Sequence, residues 1–155
     1  MSLKFLRLFF PVLLAGCFGL ATFQAASSVD DGQYQSLPLI EITVGDIPLE
    51  VEYAYTFEQR AMGLMYRKSM CEQCGMLFKF SGSKKASMWM QNTFLALDVA
   101  FIRSDGVITD IKPMQPQDLT SVGASQAVLY ALEMNQGWYA KHGINVGDKM
   151  VIKAQ

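Results

Sequence analysis

Apolar and polar residues alternate one by one along much of this chain, the spacing that sends successive side chains to opposite faces of a β-strand. Leu39-Ile-Glu-Ile-Thr-Val44 and Leu49-Glu-Val-Glu-Tyr53 show it on either side of Gly45-Asp-Ile-Pro48, which predicts a hairpin. Leu97–Arg103 and Val107–Ile111 predict a second hairpin around Ser104-Asp-Gly106, the strongest short turn signal in the chain. Met76–Phe80, Ser87–Gln91, Ala127–Met134 and Lys149–Lys153 are the remaining predicted strands. Helices are scarce. Thr56-Phe-Glu-Gln59 has the capping-box form, in which the threonine hydroxyl and the glutamine side chain satisfy free backbone groups of the first turn, and the helix it opens is expected to end near Gly63. Gly137–His142 predicts a single helical turn. Many short strands with one or two short helices make a mainly β domain, a sandwich or a barrel.

The first 26 residues break the pattern. Lys4 and Arg7 precede the apolar run Leu8–Ala15, which is too short to span a bilayer by itself, and the combination reads as a bacterial export signal over residues 1–26. Two cleavage modes fit. Leu14-Ala-Gly-Cys17 has the form of a lipoprotein box, which makes Cys17 a candidate lipidation position, while Ala25-Ala-Ser27 offers an ordinary cleavage site. Residues 27–36, SSVDDGQYQS, are polar and aperiodic, hence a linker, and residues 37–155 form the single β-rich domain. The expected location is periplasmic or secreted, or membrane-anchored as a lipoprotein, with the membrane reached only through the signal or a lipid on Cys17.

Charge and composition remove several functions. Thirteen basic and fourteen acidic residues in 155 give a net charge of −1, which excludes the electrostatic footprint of a nucleic-acid partner. No phosphate-binding glycine loop and no Gly-x-Ser-x-Gly occurs, and no cofactor is indicated. His142 is the sole histidine, and Tyr139-Ala-Lys-His-Gly143 places no serine or cysteine beside it, so a surface or capping role is expected.

Six short words, read in order, resemble the signature of the domain-of-unknown-function 192 family: Gly63-Leu-Met65, Gly75-Met-Leu-Phe78, Trp89-Met-Gln-Asn-Thr93, Leu97-Asp98, Leu132-Glu133 and Gly147-Asp148. The resemblance spans residues 40–152 and implies a compact jelly-roll-like domain, often exported, with no settled activity. Two departures stand out. Ala96 occupies a position where the family usually has proline, which is expected to loosen the turn after Thr93, and Cys71-Glu-Gln-Cys74 is not a general family feature.

A redox Cys-x-x-Cys needs its first cysteine at a helix N-terminus, but Cys74 runs directly into the strand-like Gly-Met-Leu-Phe-Lys-Phe80. A structural zinc site needs four ligands, and the chain holds only Cys17 and His142 besides. An oxidised Cys71–Cys74 staple is the expectation for an exported protein.

Three functional classes follow. Ten methionines, with Met88 and Met90 on one strand face, suggest thioether ligands for Cu(I), against the simpler reading that methionines fill core gaps. Asp98 and Glu133, both in apolar surroundings, suggest a carboxylate pair for hydrolysis of envelope glycans. The simpler reading there is that Asp98 caps the turn around Asn92 and Thr93, and that Arg60 or Arg67 pairs with either acid. The favoured class is a small non-enzymatic binding or accessory module of the cell envelope, whose partner is an envelope protein or a small polar ligand. Its ligand site is expected at Arg60, Met65, Trp89, Asn92 and Asp98, with Trp89 stacking, Asn92 hydrogen-bonding, and Arg60 and Asp98 fixing orientation.

Overall fold

The computed structural model describes residues 37–153; the predicted leader, Cys17 and the linker lie outside them. Nine strands and two short helices follow one another as β1 (Leu39–Val44), β2 (Ile47–Ala54), α1 (Phe57–Met62), β3 (Gly75–Lys84), β4 (Ser87–Met88), β5 (Leu97–Ile102), β6 (Ile108–Met114), β7 (Val122–Gly123), β8 (Val128–Asn135), α2 (Trp138–Lys141) and β9 (Met150–Ile152). Seven strands form one curled sheet in the order β6-β5-β8-β3-β2-β1-β9, while β4 and β7 make a separate ribbon. The edges of the large sheet meet at one end. Val107 bridges Lys149, the Ile108 N–H donates to Asp148 O at 2.9 Å, and the Met150 N–H donates to Gly106 O at 2.8 Å, so the sheet curls into a half-barrel.

Both predicted hairpins form, β1 with β2 and β5 with β6. The first turn is tighter than expected, because Ile47 and Pro48 already pair with Val44 and Thr43. Proline is tolerated there since β3 joins β2 only from Glu52 to Ala54, leaving the Pro48 end unpaired on that side. The capping box is present as read: the Gln59 N–H donates to Thr56 Oγ1, the Thr56 N–H donates to Gln59 Oε1, and Gly63 ends α1 at a φ of 49°. Ser87–Gln91 is largely not a strand. Only Ser87 and Met88 pair, with Gly123 and Val122, and residues 89–96 run as loop.

Two apolar clusters lie on opposite faces of the sheet. Ile40, Ile42, Val44, Leu49, Val51, Ala100, Ile102, Leu132 and Met150 fill the concave side, whereas Met76, Phe78, Leu97, Val99, Phe101 and Ala131 pack outward under the crossover and the β4–β7 ribbon. Strand β5 is therefore buried on both faces and all six of its residues are apolar except Asp98, while β1, covered on one side, alternates.

The β2–β3 pairing is parallel, and parallel neighbours require a long crossover. Here it comprises residues 55–74, including α1, and lies against the outward face through Leu64; a Cβ on Gly63 would sit 3.3 Å from the Phe78 ring. This segment carries Arg60, Met62 and Met65 onto the sheet. Cys71 and Cys74 close its final turn as a disulfide with Cα atoms 5.0 Å apart. The stapled loop is also tied to α2: the Trp138 indole N–H donates to Gln73 Oε1 at 2.9 Å, Asn135 Nδ2 donates to Cys71 O at 2.8 Å, and Lys141 pairs with Glu72. A loop of four residues limits the entropy removed from the unfolded chain. Changing both cysteines to serine is expected to lower unfolding free energy by about 2 kcal/mol in urea titrations.

Candidate functional site

The crossover does not seal the outward face. Between α1 with its following turn and the segment 88–93 a cleft remains, lined by Arg60, Met62, Met65, Met88, Trp89 and Thr93, with Phe78 and Glu133 rising from the sheet beneath. Its free volume is about 30 Å³, space for a water or two or for a single ion.

Glu133 is the chemical centre of this cleft. It points outward because it follows Leu132 on β8, and it stands opposite Val99 on β5 and Met76 on β3, both in the outward cluster. The residue is only 4% exposed, and its carboxyl group forms no hydrogen bond or ion pair with any described residue. Burial alone pushes its pKa up to about 8, so the group is largely a neutral acid at pH 7. The other buried acids are satisfied. Asp98 Oδ2 accepts the Gly137 N–H at 2.7 Å, and Asp110 accepts the Ser125 N–H and the Thr109 and Ser125 hydroxyls, with Lys112 at 3.4 Å. Burial works against charge at Asp110, yet those partners together hold its carboxyl below the ordinary range. An unpartnered buried acid is costly to keep, and sites that keep one are enriched in function.

Of the five residues expected to form a ligand site, Arg60, Met65 and Trp89 do line one cleft. Asn92 and Asp98 do not line it. Asn92 braces the wall instead: its Nδ2 donates to the Tyr66 hydroxyl at 2.9 Å and its carbonyl accepts the Tyr66 N–H at 2.7 Å. Asp98 lies on the concave parity with Ala100 and Ile102 and anchors the turn before α2, not the turn around Asn92 and Thr93. Asp98 and Glu133 consequently leave the sheet from opposite faces, and no carboxylate pair flanks a common substrate. Neither arginine pairs with Asp98 or Glu133. Arg60 Nη1 donates to the carbonyls of Tyr55 and Lys79, the latter at 3.0 Å, and Arg67 forms a bidentate pair with Glu52. The expected Met88–Met90 face also divides: Met88 lines the cleft, but Met90 is 2% exposed in the outward core.

The bracing loops carry backbone strain. Among the described residues, Tyr66, Asn92 and Gln117 are the non-glycine residues with positive φ, at 65°, 53° and 59°. They are joined: Tyr66 bonds Asn92 as above, and the Gln117 N–H donates to Thr93 O at 3.0 Å. Such strain persists where surrounding structure over-determines it, commonly at functional sites. The same loops expose Tyr66, Trp89, Phe94 and Leu119. Ala96 does not free the segment, since its carbonyl accepts the Gln136 N–H at 3.0 Å. His142 caps α2, with its ring 4.6 Å from that of Trp138.

Sequence reading missed Glu133 as a cleft residue because it was paired with Asp98. The signal available was strand parity: an acid flanked by Leu132 and Met134 on a strand whose outward neighbours, Ala131 and Val99, are apolar.

Comparison with known proteins agrees with this architecture. A crystal structure from Sinorhizobium meliloti 1021, described as a candidate transcription regulator, is 34% identical, covering 77% of this chain and 97% of its own, with a TM-score of 0.73. A protein of unknown function from Novosphingobium aromaticivorans DSM 12444 is 31% identical, covering 77% of this chain and 89% of its own, with a TM-score of 0.72. No curated protein matches the chain. The model of the DUF192 family, described as an uncharacterized ACR, matches residues 40–152, and the chain belongs to that family.

Proposed function

We propose that this domain is a small, non-enzymatic binding module of the cell envelope that takes an ion or the tip of a small polar ligand into the Glu133 cleft. The observation that carries this reading is the unpartnered acid, buried to 96% at the foot of a cleft walled by thioethers and an indole. The size of the cleft favours capture of one group over enclosure of a whole organic molecule, since cavities for those run to hundreds of cubic ångströms. A hydrolase of the two-carboxylate type finds less support, because Asp98 is engaged by Gly137 on the other face and one acid remains. The transcription-related description of the Sinorhizobium protein is not carried over, as a net charge of −1 supplies no surface for DNA.

Trp89 reports on this site. It is 54% exposed, while Trp138, the other tryptophan, is buried. Titration of the mature chain with methylammonium, acetate and silver(I) is expected to change tryptophan fluorescence for at least one probe, and Trp89→Phe should abolish the response. Silence with all three in the wild-type chain overturns the binding reading. Trp89→Ala should leave the thermal midpoint within a few degrees, since about half of the residue is exposed and it lies outside both core clusters. Asn92→Ala should lower stability by about 1 kcal/mol, because alanine tolerates positive φ poorly and the Tyr66 contact is lost. A collapse of the fold on Trp89→Ala would mark that residue as structural.

A further inference from the structure

We propose that the cleft is a binding site for a soft monovalent metal ion of the copper(I) class, held by the thioether sulfurs of Met62, Met65 and Met88. This rests on the cleft being the ligand site and names the class of ligand. Thioethers are soft, polarizable donors that select such ions over hard or borderline ones. Methionine more often fills cores, and most in this domain do so: Met76, Met90, Met114, Met134 and Met150 are each no more than 4% exposed. Met62, Met65 and Met88 differ. They remain partly exposed, and although they come from α1, the turn after it and β4, all three line the same cleft. Met88 also packs against the outward core, but none of the three is enclosed in it as the first group is.

Three further features suit a small cation. The free volume of about 30 Å³ is on the scale of a single ion. Trp89 lines the same wall, and the indole is the aromatic ring that attracts a cation best. Glu133, unpartnered and opening onto the cleft, supplies an oxygen and one negative charge that offsets the charge of the ion, its proton leaving to solvent. Among the described residues no cluster of three or more histidine, cysteine, aspartate or glutamate side chains stands ready for an ion of the zinc type. Arg60 is the opposing charge, and its Nη1 is engaged by the carbonyls of Tyr55 and Lys79.

The test uses the mature full-length chain with silver(I) in chloride-free buffer, and with copper(I) kept reduced without oxygen and competed against a coloured copper(I) chelator. Native mass spectrometry is expected to find one ion per chain. Met62→Leu/Met65→Leu/Met88→Leu, which keeps side-chain volume, should weaken copper(I) at least a hundredfold with an unchanged far-ultraviolet spectrum. Met70→Leu, outside the cleft, and Cys71→Ser/Cys74→Ser should bind as the wild type does. Arg60→Gln should tighten the cation several-fold; weakening of the cation would overturn the proposal. Full binding by the folded triple variant, or loss of binding in the cysteine variant, would also overturn it. If neither metal binds but methylammonium or acetate perturbs Trp89, the metal assignment fails and the binding module stands. If no probe binds, both fail.

Discussion

Glu133→Gln is expected to stabilise the domain at neutral pH and to flatten its pH profile. The folded carboxyl holds its proton up to about pH 8, whereas the same group in the unfolded chain releases it near 4.5. Between those values the folded state binds more protons than the unfolded state, so stability falls as pH rises. The contribution is fully present below about pH 4.5 and is lost once pH passes 8. At roughly 1.4 kcal/mol per pH unit, the loss by pH 7 is on the order of 3 kcal/mol. Glutamine has nearly the same shape and no charge to desolvate. Urea titrations at pH 5, 7 and 8.5 should therefore show the two proteins close at pH 5 and the variant increasingly ahead above it. Parallel profiles would mean that the acid has a partner in the folded state. A gain of this size from removing one charge is the pattern of a site that trades stability for function.

Gly106→Ala is expected to destabilise the domain by about 3 kcal/mol, because it acts where the curled sheet closes. Gly106 has a φ of 85° at the end of the β5–β6 turn, and its N–H donates to Arg103 O at 3.0 Å. A Cβ there would lie 2.2 Å from Met150 O, inside the contact that joins β9 to the β5–β6 hairpin. Backbone must move, and the Met150 N–H bond to Gly106 O moves with it. Two controls separate the causes. Gly143→Ala has a φ of 68° and open space around the new methyl, so only about 1 kcal/mol of backbone strain is expected. Gly82→Ala has neither problem and should be neutral or slightly stabilising. Equal effects at Gly106 and Gly143 would show that closure of the sheet contributes little.

Most local elements were legible from the chain. Period-two alternation located β1, β2, β5 and β6 because each pairs with its sequence neighbour, and a hairpin needs only a short turn. Thr56 and Gln59 located α1 because capping is a contact within four residues. Ser87–Gln91 was misjudged for the converse reason. Its alternation is real, but only Ser87 and Met88 find a partner strand, β7, which is two residues long and has no pattern of its own. The Cys71–Cys74 staple was legible from spacing and the expected compartment together.

The candidate site was legible only in part. Arg60, Met65 and Trp89 were named from residue type and family words, and the fold does gather them. Asn92 and Asp98 were named on the same grounds and went elsewhere, one to a loop brace and one to the concave face. The sequence by itself determined which residues face which side of each strand, since a side chain's direction follows from its position along an extended chain. Only the tertiary structure decided which strands become neighbours. The parallel β2–β3 pairing, and the insertion of β8 between β3 and β5, join segments tens of residues apart, and no local period records such a pairing. Those two choices carry the crossover over Glu133 and make the cleft.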